Sequence, residues 1–202
     1  MEKTDLKKTQ KVAFTGKKDP QIVTIPALKY LSFAGKGSPD APLFEEAIGA
    51  LYGLAYTIKF MFKERELDFV VAPLEAQWWS DDLNDFTENR KENWLWKAMI
   101  CVPDFVMPSD LEEGREKVRA KKSLSGLDQV VLETIEDGEA VQVLYLGAYS
   151  EEAPTIAMMH HFAEEEGYRL RSHHREVYLS DMRKTPPDKL KTIIRHPVER
   201  VK

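Results

Sequence analysis

The chain has 202 residues, 43 % of them apolar, and 34 acidic against 29 basic side chains leave a net charge of -5. Such a chain can bury a sizeable core, and it lacks the basic surface that general binding to nucleic acid or anionic membranes requires. A single cysteine, Cys101, cannot close an intramolecular disulfide, and no stretch approaches the roughly 20 apolar residues of a membrane span, so a cytoplasmic location is expected.

The first 11 residues are polar and lysine-rich and carry no apolar core of a signal peptide. Residues 21–33 predict an extended segment, followed by turn chemistry at Gly35-Lys36-Gly37-Ser38-Pro39. Apolar residues then recur at three- and four-residue steps, from Leu43 and Phe44 through Ala47, Leu51 and Ile58 to Phe62, and predict a helix over 42–63. Asp40 suits its N-cap and Pro42 its first turn. Two extended segments follow, over 67–79 and 94–102. A charged linker over 103–125 contains Ser109-Asp110-Leu111-Glu112, which has capping-box spacing and predicts a short surface helix. Its basic run, 115–122, reads as a solvated helix face.

The second half repeats the order. Segments 128–135 and 139–149 read as a hairpin turning at Asp137-Gly138. A helix over 154–166 follows, with Ser150 able to cap it and Gly167 able to end it. A strand over 168–180 and an extended segment over 190–195 complete the chain. This predicts an α+β fold: a pseudo-two-fold repeat of strand-helix-strand-strand, with an antiparallel sheet and two main helices framing a groove. A single domain over 1–202 is expected, with halves at about 20–102 and 126–198.

Strict alternation along 168–180 places Ser172, His174, Glu176, Tyr178 and Ser180 on one face and Arg171, His173, Arg175, Val177 and Leu179 on the other. A carboxylate in mid-strand is unusual, because Glu is depleted in strands and costly to bury unpaired. Four tryptophans, Trp78, Trp79, Trp94 and Trp96, crowd into about 20 residues, and rigid aromatic walls suit planar or cationic ligands. No metal site is expected. His160 and His161 diverge by about 100° on a helix, His173 and His174 point to opposite sides of a strand, and neither HExxH nor CxxC spacing occurs. Cys101, between Ile100 and Val102, reads as a core residue.

Three motifs together resemble a known family. They are Glu176-Val177-Tyr178 with the upstream Gly147-Ala148-Tyr149, the opening Lys29-Tyr30-Leu31 leading to Gly35-Lys36-Gly37, and Trp78-Trp79 after Pro73-Leu74-Glu75. Over about residues 20–200 the chain is similar to the GyrI-like small-molecule-binding family, whose fold is also SOUL-like. It looks most like the stand-alone branch that hydrolyses the cyclopropane of DNA-alkylating cyclopropanoid compounds. The resemblance implies that Glu176 is the groove glutamate and acts as general base. It implies a tyrosine hydroxyl, Tyr145 or Tyr178, or else His174, as donor to the forming phenolate. Trp79, Trp94 and Trp96 would hold a planar ligand, with Tyr149 and Tyr178 beside it. The implied partner is a small planar aromatic or electrophilic molecule, with no metal, organic cofactor, nucleic acid or membrane.

Two further classes stay open. A binding protein without chemistry would use the same carboxylate as counter-ion to a cationic aromatic drug. A gyrase-inhibitor-like protein-interaction module would carry an exposed apolar stripe, and the sequence makes none obvious.

Overall fold

The computed structural model describes residues 3–82, 84–121 and 123–201. In chain order the helices are α1 (Leu6–Thr9), α2 (Lys11–Phe14), α3 (Pro42–Glu64), α4 (Asn84–Thr87), α5 (Pro108–Lys121) and α6 (Ala153–Glu165). The strands are β1 (Gln21–Ile25), β2 (Leu28–Lys36), β3 (Leu74–Trp79), β4 (Leu95–Val102), β5 (Val131–Ile135), β6 (Gly138–Leu146), β7 (Tyr168–Leu170), β8 (His174–Tyr178) and β9 (Lys191–Arg200). The α+β class and antiparallel pairing expected from the sequence are those of the structure.

These elements form two compact units, one from residues 1–9 and 28–135, the other from 10–27 and 136–202. In the first, antiparallel pairing gives the order β5-β2-β4-β3. The apolar stripe of α3 lies on this sheet, burying Ala47, Leu51, Leu54 and Ile58 completely. Pro42 takes the first helical turn as expected, but the N-cap is Ala41, with no side-chain hydrogen bond, rather than Asp40. The linker helix is longer than the sequence implied, running the 14 residues of α5. It is tied to the end of α3 by Arg65, which donates to Asp110 at 2.7 Å and to Glu113 at 2.6 Å.

In the second unit the order is β1-β6-β9-β8, with β7 paired to the far end of β9. Each unit therefore has the same four-strand order, with one main helix. The expected hairpin at Asp137-Gly138 does not form: β5 pairs with β2, and β6 pairs with β1. The reason lies in Asp137. Its side chain is 2 % exposed and accepts from Arg175 at 2.9 Å and Arg195 at 3.5 Å. Its carbonyl accepts from Arg171. Anchored inward on three arginines, the Asp137-Gly138 turn, with Gly138 at φ +60°, delivers the chain to a strand that pairs with β1 instead of reversing it onto β5.

Opposed residues of an antiparallel pair share a face. Arg175 faces Arg195 across β8 and β9, and Val177 faces Ile193. That face continues to Gln142 of β6, which receives the Arg195 Nε donation at 3.1 Å. The lysine-rich N-terminal segment covers it. Gln142 donates to the Val12 and Thr15 carbonyls, and Arg195 donates to Ala13 at 2.6 Å. The opposite face carries Glu176 against Ile194 and Tyr178 against Thr192, and His174 lies near His196 with ring centroids 6.1 Å apart. Under α6 its apolar part buries Val141, Val143, Met159, Ala163 and Ile194.

The strand expected over 168–180 is interrupted. Between Leu170↔Val198 and Arg175↔Arg195 this side spends five residues where β9 spends three. Ser172 absorbs the difference with φ +58°, a left-handed conformation that a non-glycine residue adopts only at a turn. The excess is even, so the alternation expected beyond it is kept from His174 onward.

Candidate functional site

Glu176 is buried, 7 % exposed, on the face of the second unit's sheet that also carries the α6 core. Its Oε1 lies 3.2 Å from His174 Nε2. Glu152, the residue before α6, turns its carboxyl to the same place and hydrogen-bonds Glu176. Burial, the Glu176 charge and that hydrogen bond push the Glu152 carboxyl up to about 9. Burial and the nearby Glu176 charge therefore favour the protonated form of the Glu152 carboxyl. Burial and the charge of Glu176 push the neighbouring Tyr149 phenol up to about 12, against a smaller opposing pull from Thr192. Tyr149 packs edge-on to Tyr178 with ring centroids 5.6 Å apart. The second unit thus places Glu176, His174, Tyr149 and Tyr178 together, and adds Glu152.

Tyr145 has a different place. Its ring belongs to the apolar core under α6, and its hydroxyl donates to the Ala148 carbonyl at 2.8 Å. It braces the turn at Gly147 (φ +152°). The hydroxyl expected to serve as catalytic donor is thus engaged with the backbone, and burial raises its phenol pKa.

The tryptophans belong to the first unit. Trp96 is fully buried between Phe33, stacked at 6.0 Å, and Phe44, edge-on at 4.9 Å. Its ring lies where a Cβ on Gly35, its partner across β2 and β4, would fall 2.3 Å away. An indole enclosed on both sides has no face for a ligand, which corrects the expectation for Trp96. Trp94 is half-buried, donates to the Asp85 carbonyl at 3.2 Å and packs on Phe86 at 5.0 Å. Trp79, half-buried, ends β3.

A second group near Glu176 escaped the sequence reading. His160 of α6, His174 of β8 and His196 of β9 each offer a ring nitrogen within 4.8 Å of the others. Burial, then the neighbouring imidazoles, depress His160 to about 4 and His196 to about 3. The sequence argument weighed only histidines adjacent in the chain, His160 with His161 and His173 with His174. The cluster takes one from each pair and adds His196, which no local spacing could supply.

The first unit also carries an open groove of about 480 Å³, lined by Tyr52, Tyr56, Phe60, Val118 and Leu124 among others. Tyr56 and Phe60 are 48 % and 54 % exposed. An exposed apolar stripe at helical spacing on α3 is therefore present, where the sequence reading found none obvious.

The raised Glu152 carboxyl has a stability signature. The folded chain keeps its proton to higher pH than the unfolded chain, whose reference value is 4.5. Stability fully present below that value is lost as pH rises toward about 9. His160 and His196 act oppositely, because their depressed values remove stability as pH falls below 6.5. Between about pH 6.5 and 9 the carboxyl acts without them. In denaturant titrations over that window the unfolding free energy is expected to fall, and Glu152→Gln to flatten the slope. An unchanged slope in the variant would assign the pH dependence to another group.

Residues 18–199 match the model of the GyrI-like small molecule binding domain. Among solved structures, a conserved protein of uncharacterised function from Listeria innocua superposes with a TM-score of 0.90 at 40 % identity, covering 98 % of this chain and 100 % of that one. A hydrolase from Listeria innocua superposes at 0.87 with 39 % identity and the same coverage. The C-terminal domain of EcmrR shares the fold at a TM-score of 0.62 and 15 % identity, over 91 % of this chain and 98 % of that domain. No curated protein matches the chain. Among the described residues no helix is long and apolar enough to cross a membrane.

Proposed function

The chain belongs to the GyrI-like small-molecule-binding family, and on that footing we propose that it hydrolyses planar electrophilic compounds of the cyclopropanoid type and so detoxifies them. The observation that carries this reading is the buried Glu176 with a second carboxyl, Glu152, beside it, whose protonated form burial and the Glu176 charge favour. Two such groups in one recess form a base and an acid at the same pH. The similarity to a hydrolase from Listeria innocua at 39 % identity supports the reaction class.

In this mechanism water attacks the unsubstituted cyclopropane carbon and gives its proton to Glu176. The carbon–carbon bond that breaks delivers its electron pair into the conjugated dienone, which becomes aromatic. The resulting phenolate oxygen takes a proton from Glu152, or from Tyr149, whose raised pKa keeps it protonated. His174, 3.2 Å from Glu176, holds the base in place. Tyr178, edge-on to Tyr149, is a candidate to contact the ligand. The site's chemistry suits a small aromatic partner in the cytoplasm.

Incubating the protein with a cyclopropanoid compound is expected to give the ring-opened product, heavier by one water, in repeated turnovers. Saturable binding of the compound with no product would leave a sequestering protein instead, with Glu176 as counter-ion to cationic aromatic drugs.

A further inference from the structure

We infer that His160, His174 and His196 form a binding site for one divalent transition metal of the zinc class. This goes beyond the hydrolytic reading and does not depend on it. The three rings come from α6, β8 and β9, and their ligand atoms lie within 4.8 Å of one another. A zinc ion bound tetrahedrally at about 2.0–2.1 Å would hold these nitrogens roughly 3.3 Å apart, within reach of small side-chain rotations.

Three observations point to a cation rather than to packing alone. His160 Nε2 and His196 Nδ1 are buried and meet no hydrogen-bond partner among the described residues. Leaving buried polar atoms unsatisfied is costly, and a metal ion would satisfy both at once. The rings meet edge to face, His196 with its centroid 5.0 Å from His160 and 6.1 Å from His174. Their nitrogens thereby converge while the rings avoid stacking. Finally, His174 Nε2 lies 3.2 Å from Glu176, the carboxylate–imidazole contact that fixes the orientation of a metal-bound histidine. The donor set is three imidazoles with no thiolate, which suits zinc, cobalt, nickel or copper rather than magnesium or calcium. Three protein ligands leave a fourth position open, the pattern of a site that binds water or a ligand on the metal.

The alternative is three imidazoles that merely fill space between α6 and the sheet. Metal binding separates the two. Protein purified without a histidine tag, stripped with EDTA and dialysed against zinc chloride is expected to retain one zinc per chain by mass spectrometry of the metal. Cobalt chloride should add visible absorption bands of a four- or five-coordinate ion. Both should be lost in His196→Gln and in His160→Gln, each checked for native fold by circular dichroism. Should His196→Gln fail to fold, His160→Gln on the helix decides alone. His161→Gln, an exposed neighbour paired with Glu165, should leave binding unchanged. Glu176→Gln should weaken binding about 10- to 100-fold without abolishing it. Retention of less than a tenth of an equivalent, or zinc binding that survives loss of His160 or is lost equally in His161→Gln, would overturn the site. Because these readouts follow bound metal and not product, hydrolysis can fail while the site stands, and the reverse.

Discussion

If the proposed hydrolysis holds, Glu176→Gln is expected to lower turnover of a cyclopropanoid substrate by about 10²-fold or more and to leave its affinity within about tenfold. Glutamine keeps the size and shape of the side chain and a carbonyl toward His174, but it cannot take a proton from water. Glu152 also loses the neighbouring charge that helps hold its own proton in place, so the acid is affected as well as the base. The single change therefore touches the chemical step through two groups, and binding mainly through neither. The same variant should be tested with a cationic aromatic dye. If the protein only sequesters drugs, the dye binds the variant much more weakly and neither protein makes product. Turnover equal to the parent's would remove Glu176 from the mechanism.

The second large effect lies behind the site. Replacing Asp137 by Ala is expected to cost about 3–5 kcal/mol of unfolding free energy. The side chains of Arg175 and Arg195 are 1 % and 0 % exposed, and Asp137 is the carboxylate set between them. Without it, two guanidinium groups on adjacent strands stand directly opposite each other with like charge. Folded proteins carry only about 5–15 kcal/mol of stability in total, so the loss would be visible as a large shift of the denaturation midpoint. Asp181→Ala gives the contrast. Its partner Arg183 is 81 % exposed, and exposed pairs contribute about 0–1 kcal/mol. A loss at Asp137 no larger than that at Asp181 would mean that the arginines are satisfied by other groups.

The local elements were legible in the sequence and their partners were not. The stripe from Phe44 to Phe62 states its own period, and α3 follows it almost to the residue. Glu176 stood out because a carboxylate is costly in a strand, whatever the strand pairs with. Pairing is a long-range choice. Asp137-Gly138 carries the chemistry of a tight reversal, and only the distant arginines 171, 175 and 195 turn it into a crossover. Nor could the polar run at residues 10–17 announce that its carbonyls would cap Gln142 and Arg195. Glu152 stands in the sequence as one of several acidic residues near a helix start, and its proximity to Glu176 arises only when α6 folds over the sheet. His196 shows the same limit, since its two companions lie on other elements. The indoles misled for the opposite reason: a large aromatic signals burial first, and Trp96 fills a core.

The unformed hairpin has a consequence during synthesis. Gln21 of β1 pairs with Gln142 of β6, so about 120 residues must be translated after the strand before its partner exists. At about 5–20 residues per second this takes roughly 6–24 s, far longer than a local hairpin needs to close. Throughout that interval β1 sits on the nascent chain with its backbone donors and acceptors uncommitted, while β2, only two residues later, waits for β4 and β5. The second unit's strand order can close only once β9 has left the ribosome, and the carboxyl pair and the histidine cluster assemble with it.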